Sequence, residues 1–140
     1  MVIPLLMIVS SAADARDTIV RVSVEEAMTT EDAKVRLDVG IRFFFSDQKH
    51  PEAVTRIGTY TANKKTNAFN KSDQQACKWA FLSAMVSLQD RVIAEGGNAV
   101  VNIRSFYKKR EFTSATEFEC GAGAMVAGVT LVGDVVKLAE

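Results

Sequence analysis

The two cysteines of the chain, Cys77 and Cys120, are the residues whose chemistry depends most on where the protein works. Outside the cytoplasm such a pair typically forms a structural disulfide, because those compartments are oxidising. A redox-active pair is disfavoured, because the chain has no C-x-x-C spacing and neither cysteine has an activating partner nearby in sequence. A zinc site would need more ligands than these two cysteines and the single histidine, His50.

The amino-terminal end of the chain favours export. Residues 2–9 read VIPLLMIV, an apolar run much shorter than the roughly 20 residues that a membrane-spanning helix needs. Residues 13–15, Ala-Asp-Ala, follow the small-x-small rule of a signal-peptidase site. We therefore predict a signal peptide at residues 1–15, a mature chain from Arg16, and a periplasmic or secreted location in a bacterium. No basic residue precedes the apolar run, which leaves a buried N-terminal strand as the alternative interpretation.

Export makes a disulfide between Cys77 and Cys120 the favoured interpretation, with two separate buried thiols as the alternative. The bond would close a loop of about 44 residues, which contributes roughly 4 kcal/mol in the chain-entropy account of disulfides. The sequence therefore predicts a structural disulfide. The elements that carry Cys77 and Cys120 matter most for the fold.

One long helix is predicted to carry Cys77. Ser72 begins it as a capping box with Gln75, and the glycine pair at 96–97 ends it, giving a helix over residues 72–95. At 100° per residue, one apolar stripe that should face a sheet contains Cys77, Phe81, Ala84, Met85, Leu88 and Val92. A second apolar stripe on another side needs different cover, either the N-terminal segment or another subunit. It contains Trp79, Leu82, Val86 and Ile93.

Apolar alternation predicts strands in most of the remaining chain. We expect strands at residues 18–24, 35–45, 54–61, 98–107, 116–120 and 126–138, and loops at residues 29–34 and 63–71, the second with Phe69 as a buried candidate. Ser23 could instead cap a short helical turn through Glu26. Both faces of the last strand are apolar over part of its length, which is typical of a central strand. The predicted fold is α+β, a single domain over residues 16–140 with a mainly antiparallel sheet and the long helix packed on one face.

The glycine-rich residues 121–128 do not form a nucleotide site. Their spacing is not G-x-G-x-x-G, and the chain contains no G-x-x-x-x-G-K-[ST] loop. Small residues that allow close backbone packing explain the segment better, and Gly128 and Gly133 suggest bulges or a close backbone approach. ATP is therefore not expected as a ligand, and no cofactor is predicted.

Charge gives a second candidate contact. The chain has 17 basic and 17 acidic residues, so nothing attracts nucleic acid to it in general. Five basic residues could still form one anion-contacting patch if their loops meet: Lys64, Lys65, Lys108, Lys109 and Arg110. The alternative is solubilising charge at loop ends, offset by Glu111, Glu117 and Glu119.

Several segments together resemble a family of small exported bacterial proteins that often carry the label "excinuclease ATPase subunit". The resemblance lies in NKKTNAFNKSDQQACKWAFLSA, GGNAVVNIRSFYKK, SATEFECGAGAMVAGV and GDVVKL, and it covers nearly the whole mature chain. The label implies ATP-driven DNA repair, which this sequence contradicts, because it lacks a phosphate-binding loop and a zinc-finger cysteine set.

The long helix followed by GGNAVVNI is also similar to YbjQ-type domains and to the outer-membrane lipoprotein sensor of the Rcs stress pathway. The resemblance implies a helix packed on a small sheet. In the Rcs sensor a disulfide joins the helix to a later strand, which Cys77 and Cys120 would match. This chain lacks a lipid-attachment cysteine and a second disulfide, so the sensor role is not implied. YbjQ-type domains form rings, which implies assembly through Trp79, Val86 and Ile93.

We therefore expect a non-enzymatic binding or scaffolding module of the bacterial envelope, whose partner is a second copy or an envelope protein. The alternative is a small-ligand-binding protein or enzyme with a pocket between the long helix and residues 121–128. A closed pocket holding a titratable group with a perturbed pKa would favour the alternative. An exposed apolar surface centred on Trp79 would favour a partner.

Overall fold

The computed structural model describes Pro4 and residues 17–140. The predicted signal peptide at residues 1–15 and the predicted start at Arg16 lie outside the described residues, apart from Pro4. The described chain forms an α+β fold, in which one long helix packs against a curled, mostly antiparallel sheet. Its elements in chain order are β1 (Thr18–Ser23), α1 (Val24–Met28), α2 (Glu31–Arg36), β2 (Arg42–Phe45), β3 (Ala53–Asn67), α3 (Asp73–Glu95), β4 (Ala99–Tyr107), β5 (Arg110–Phe112), β6 (Glu117–Ala122) and β7 (Val126–Leu138).

The last strand, β7, lies at the centre of the sheet, as its two apolar faces predicted. Its whole length pairs with β3 on one edge. The other edge pairs first with β6, through Gly128 and Ala127, and then with β4, from Leu131 to Val136. β6 continues to β1, and β4 continues to β5 and to the parallel strand β2. The sheet curls because β7 exchanges one partner for another along this edge.

The long helix α3 has the predicted bounds and the predicted buried face. The Ser72 side chain accepts a hydrogen bond from the Gln75 backbone N–H, and Gly96 ends the helix in the left-handed conformation with φ of 76°. The six residues of the first stripe, Cys77, Phe81, Ala84, Met85, Leu88 and Val92, are all buried. Phe81 stacks on Phe118 of β6 with ring centroids 4.3 Å apart. Burial of this face contributes most to holding the helix on the sheet, at about 2 kcal/mol for each large side chain.

The predicted strand at residues 35–45 is wrong over its first half, and the predicted loop at residues 29–34 is wrong as well. The Thr30 side chain accepts from the Ala33 N–H and begins α2, whose acidic first turn and basic last turn suit the helix dipole. Asp38 then accepts from the Gly40 N–H at 2.7 Å and turns the chain, so only residues 42–45 are extended. The apolar alternation misled because Val35 and Val39 are exposed.

The alternative for the first segment is confirmed, since Ser23 accepts from the Glu26 N–H at 3.1 Å and caps α1. The predicted polar loop at residues 63–71 is wrong over residues 63–67, which continue β3 as far as Asn67. Pairing with β7 supplies their backbone hydrogen bonds, while most of their side chains stay in solvent. Phe69 was expected to be buried and is 55% exposed.

Candidate functional site

The cysteine pair forms the predicted disulfide and is a structural staple. Cys77 in α3 and Cys120 in β6 are bonded with their Cα atoms 5.9 Å apart, and both are fully buried. Within residues 17–140 no cysteine is free, so this part of the chain offers no thiol for chemistry. The bond joins the centre of the core to a strand that pairs with β1 and β7.

A groove beside the first turns of α3 is the largest of the surface cavities that we describe, at about 350 Å³. We call it the Trp79 groove. Trp79 and Leu82 form its apolar part; Trp79 is 40% exposed, whereas Leu82 is buried. The α1–α2 connection forms the opposite wall. Its full lining is Thr30, Asp32, Lys71, Gln75, Lys78, Trp79 and Leu82.

The walls of the Trp79 groove are held by contacts between the N-terminal helices and α3. Lys78 and Glu26 form an ion pair at 3.4 Å, and the Arg36 guanidinium lies over the Trp79 ring, 5.8 Å from its centroid. The Gln89 side chain accepts from the Asp38 N–H at 2.7 Å and donates to the Arg36 carbonyl at 3.0 Å. The N-terminal segment therefore supplies part of the cover that the second apolar stripe was expected to need.

The predicted interaction surface does not come together in one cavity. Val86 is half-buried and lines a separate cavity of about 320 Å³ with Arg36, Lys64 and Asp90. Ile93 is 63% exposed near the end of α3. Of the three predicted residues, only Trp79 lines the groove, so it is the residue on which a contact would centre.

The glycine-rich segment is filled by the ring of Tyr107. A Cβ atom at Gly121 would lie 2.2 Å from the ring, and one at Gly128 would lie 3.0 Å from it. Ala122 and Ala127, beside them in the strands, are buried. The ring covers the face of these strands opposite α3, because Gly121 alternates with Cys120, which is bonded to α3. On the face towards α3, Ala122 and Ala127 belong to the buried core, so a ligand between α3 and residues 121–128 would have to displace packed side chains.

The five residues of the predicted basic patch have different partners. Lys108 forms an ion pair with Asp17, and Arg110 binds Glu119 at 3.1 Å. Lys65 lies near enough to help lower the pKa of the Asp17 carboxyl, whereas Lys64 lines the cavity beside Val86. Lys109 follows Lys108 in the turn after β4, where both have positive φ. Two of the five cations are thus already neutralised by acidic partners.

The cluster around Asp17 shifts three pKa values. The hydrogen bond from Lys108 lowers the pKa of Asp17, and burial opposes that shift without reversing it. Burial, and then the hydrogen bond that Tyr107 donates to Asp17 at 2.9 Å, raises the pKa of Tyr107. The hydrogen bond to Asp17 raises the pKa of Lys108. This cluster joins the N-terminal end of β1 to the turn after β4.

Two structural residues escaped sequence reasoning. Gln89 belongs to neither apolar stripe of α3, yet it is buried and bridges α3 to the end of α2. Glu119 is 1% exposed and lies between Arg21, at 3.5 Å, and Arg110. The Ser105 hydroxyl accepts a hydrogen bond from the backbone N–H of Glu119. Strand alternation in β6 was the available signal, because it places Glu119 on the face opposite Cys120.

Nowhere in residues 17–140 do three or more His, Cys, Asp or Glu side chains lie close enough together to hold a metal ion. His50 is exposed in a loop, where its Nδ1 lies 2.7 Å from the Pro51 carbonyl oxygen. Among the same residues, no helix is both long and apolar enough to cross a bilayer. No protein-family model matches the chain, and no curated protein matches it.

Proposed function

We propose that this protein is a non-enzymatic binding module of the bacterial envelope, stapled by the Cys77–Cys120 disulfide, which holds a partner at the Trp79 groove. The observation that carries the proposal is the half-exposed indole of Trp79, set in a preformed groove between α3 and the N-terminal helices. Tryptophan is enriched among the residues that dominate protein interfaces, because a large ring gains much area at little cost in side-chain entropy.

The rim of the groove suits a mixed polar and apolar partner. Lys71 and Lys78 supply positive charge, and Asp32 supplies negative charge on the opposite wall. An apolar side chain of an envelope protein, or of a second copy of this chain, would cover Trp79 while its neighbours meet the charged rim. Such an arrangement of apolar centre and polar rim is usual for transient interfaces.

The buried disulfide supports a location outside the cytoplasm, because such bonds persist in oxidising compartments. Intact mass of the exported protein tests both parts of this expectation. The chain should begin at Arg16, and its mass should be about 2 Da below the reduced value, since disulfide formation removes two hydrogens. A chain that retains residues 1–15 after export, or a Cys77 that alkylates without reductant, would contradict it.

Site-specific photo-crosslinking tests the groove. A photoreactive amino acid replaces Gln75, which lines the groove, and in a matched control it replaces Val54, which is 67% exposed on β3. We expect an adduct from position 75 in exported protein that is absent from position 54 and lost in Trp79→Glu. Mass spectrometry of the adduct distinguishes a second copy from another envelope protein. Equal adducts at both positions, or no dependence on Trp79, would reject the groove as the contact.

A further inference from the structure

A second apolar surface lies at the end of the sheet where β3 finishes and β7 begins. Phe69, Met125 and Val126 are 55%, 60% and 48% exposed, and we call these three residues the apolar tip. They come from the turn after β3 and from the end of the β6–β7 connection, with Val126 as the first residue of β7, and these two segments are bonded together. The Ala68 N–H donates to the Met125 carbonyl at 2.9 Å, and Asn67 is the strand partner of Val126.

Basic side chains surround the apolar tip. Lys71 lies in the same turn as Phe69, and its Nζ donates to the Asn67 carbonyl at 2.9 Å. Lys65 and Lys64 follow along β3, opposite Gly128 and Val129. The acidic groups near this end are Asp73, in the first turn of α3, and Asp17, which is paired with Lys108. Two further carboxylates lie beside these lysines, because Asp32 lines the Trp79 groove with Lys71 and Asp90 lines a cavity with Lys64.

We propose that the apolar tip docks on the surface of an anionic lipid bilayer. Three adjacent exposed apolar side chains on two bonded segments can enter the interfacial region of a membrane without any backbone rearrangement. Lysines beside them then meet the lipid phosphates, and each lysine near an anionic surface strengthens binding about fivefold. An anionic surface fits this tip better than a neutral one, because Lys65 and Lys71 lie next to its exposed apolar side chains.

The course of the chain supports this orientation. Thr18 is the strand partner of Ala122, so Asp17 lies beside the turn that carries Met125. The chain that precedes Asp17 therefore joins the domain at the same end as the apolar tip. The apolar run at residues 2–9 lies only a few residues earlier in the sequence. If that run inserts in a membrane as the predicted signal peptide, this end of the domain is the one nearest to the membrane.

Vesicle co-sedimentation tests the docking. The core, the disulfide and the strands that we describe lie within residues 17–140, so an oxidised chain of residues 16–140 keeps these elements and removes the apolar run as a separate membrane anchor. Vesicles of phosphatidylethanolamine with phosphatidylglycerol should bind it, and vesicles of phosphatidylcholine alone should bind it more weakly. The triple variant Phe69→Ser, Met125→Ser, Val126→Ser should lose about tenfold or more in affinity, because its apolar contact is gone.

The control variant is Val54→Ser with Ile93→Ser, which removes two equally exposed apolar side chains elsewhere and should bind as the parent does. Lys65→Gln with Lys71→Gln should lower binding to the anionic vesicles only. Unfolding midpoints near that of the parent would show that each variant is folded. Equal loss in the control variant, or unchanged binding in the triple variant, would overturn the proposal.

A second measurement locates the contact. In a Trp79→Phe background, Met125→Trp places the only indole at the tip, and Val54→Trp places it on β3 as the control. Brominated lipids in the anionic vesicles should quench the indole at 125 and leave that at 54 unaffected. Equal quenching at both positions would overturn the assignment of this end. An oligomer that dissociates in the triple variant, without lipid binding by the parent, would assign the tip to a protein contact instead.

Discussion

The ring of Tyr107 rests on Gly121, in a space that only a residue without a side chain leaves open. A Cβ atom at position 121 would lie 2.2 Å from the ring carbon Cζ. Gly128, the strand partner of Gly121, also lies under the ring, and Tyr107 is 8% exposed. The hydroxyl at the edge of this packed ring donates to Asp17. The two glycines thus position the ring that joins β4 to the start of β1.

Gly121→Ala should lower the free energy of unfolding by about 1–3 kcal/mol, because the added methyl group forces the Tyr107 ring to move. Denaturant unfolding measures the change. The matched control is the same substitution in a Tyr107→Leu background, where the ring is absent and most of the cost should disappear. A cost that is equal in both backgrounds would show that the backbone, and not the ring, requires glycine at position 121.

Removal of the disulfide should destabilise the protein without changing its surface. Cys77→Ala with Cys120→Ala should lower the free energy of unfolding by up to roughly 4 kcal/mol, because the loop of about 44 residues is no longer closed in the unfolded chain. Denaturant unfolding with and without reductant measures the effect. Reductant should bring the parent towards the double variant and leave the double variant itself unchanged. A double variant as stable as the oxidised parent would show that the disulfide does not stabilise the fold.

Gln89→Ala should loosen the N-terminal helices. The substitution leaves the Asp38 N–H and the Arg36 carbonyl without their partner and should cost about 1–3 kcal/mol. Hydrogen exchange should speed up in α2 and around Trp79 more than in the central strand β7. Gln74→Ala, a change at an exposed position of the same helix, is the control and should leave exchange in α2 as it is. Equal rates in both variants would show that Gln89 does not hold the groove wall.

The elements that the sequence predicted well are those whose signal is local. Ser72 and Gly96 bound α3 by capping chemistry, and the stripe that contains Cys77 is buried as its phase requires. The central position of β7 followed from its two apolar faces. In each case a cap or an apolar pattern within the segment itself indicated the structure.

The elements that were predicted wrongly depend on partners that are distant in sequence. Residues 63–67 are polar and look like a loop, yet pairing with β7 makes them a strand. Val35 and Val39 alternate with polar residues, yet no facing surface buries them, and the Thr30 cap makes a helix of residues 31–36. The sequence predicted a second apolar stripe on α3 that needs cover from the N-terminal segment or another subunit, but it did not predict the Trp79 groove, because the second wall of the groove comes from a segment about 50 residues earlier.

The cluster of Asp17, Tyr107 and Lys108 should make stability depend on pH at both ends of the range. The pKa of Asp17 in the folded protein lies below its ordinary value of 3.8, because Lys108 favours the charged form. Its contribution is therefore present above pH 3.8 and is lost as the pH falls through the lower folded value. Asp17→Asn should be less stable than the parent at neutral pH, and the difference should vanish in strong acid. In a Lys108→Met background the effect of Asp17→Asn should be smaller at neutral pH.

At alkaline pH the stability of the protein should fall, rather than rise, as the pH increases. The pKa of Tyr107 is raised above 10.0, first by burial and then by its hydrogen bond to Asp17, so the folded protein retains the phenolic proton longer than the unfolded chain does. Stability should then fall as the pH rises above 10.0, because the unfolded state gives up the proton first. Absorbance titration of the phenolate should show a component above pH 10 that Tyr107→Phe removes. Lys108 adds to the same fall, since its raised pKa favours the folded state only while the ammonium is charged. A Tyr107→Phe variant whose alkaline absorbance titration matches the parent's would show that the ring is not held in this cluster.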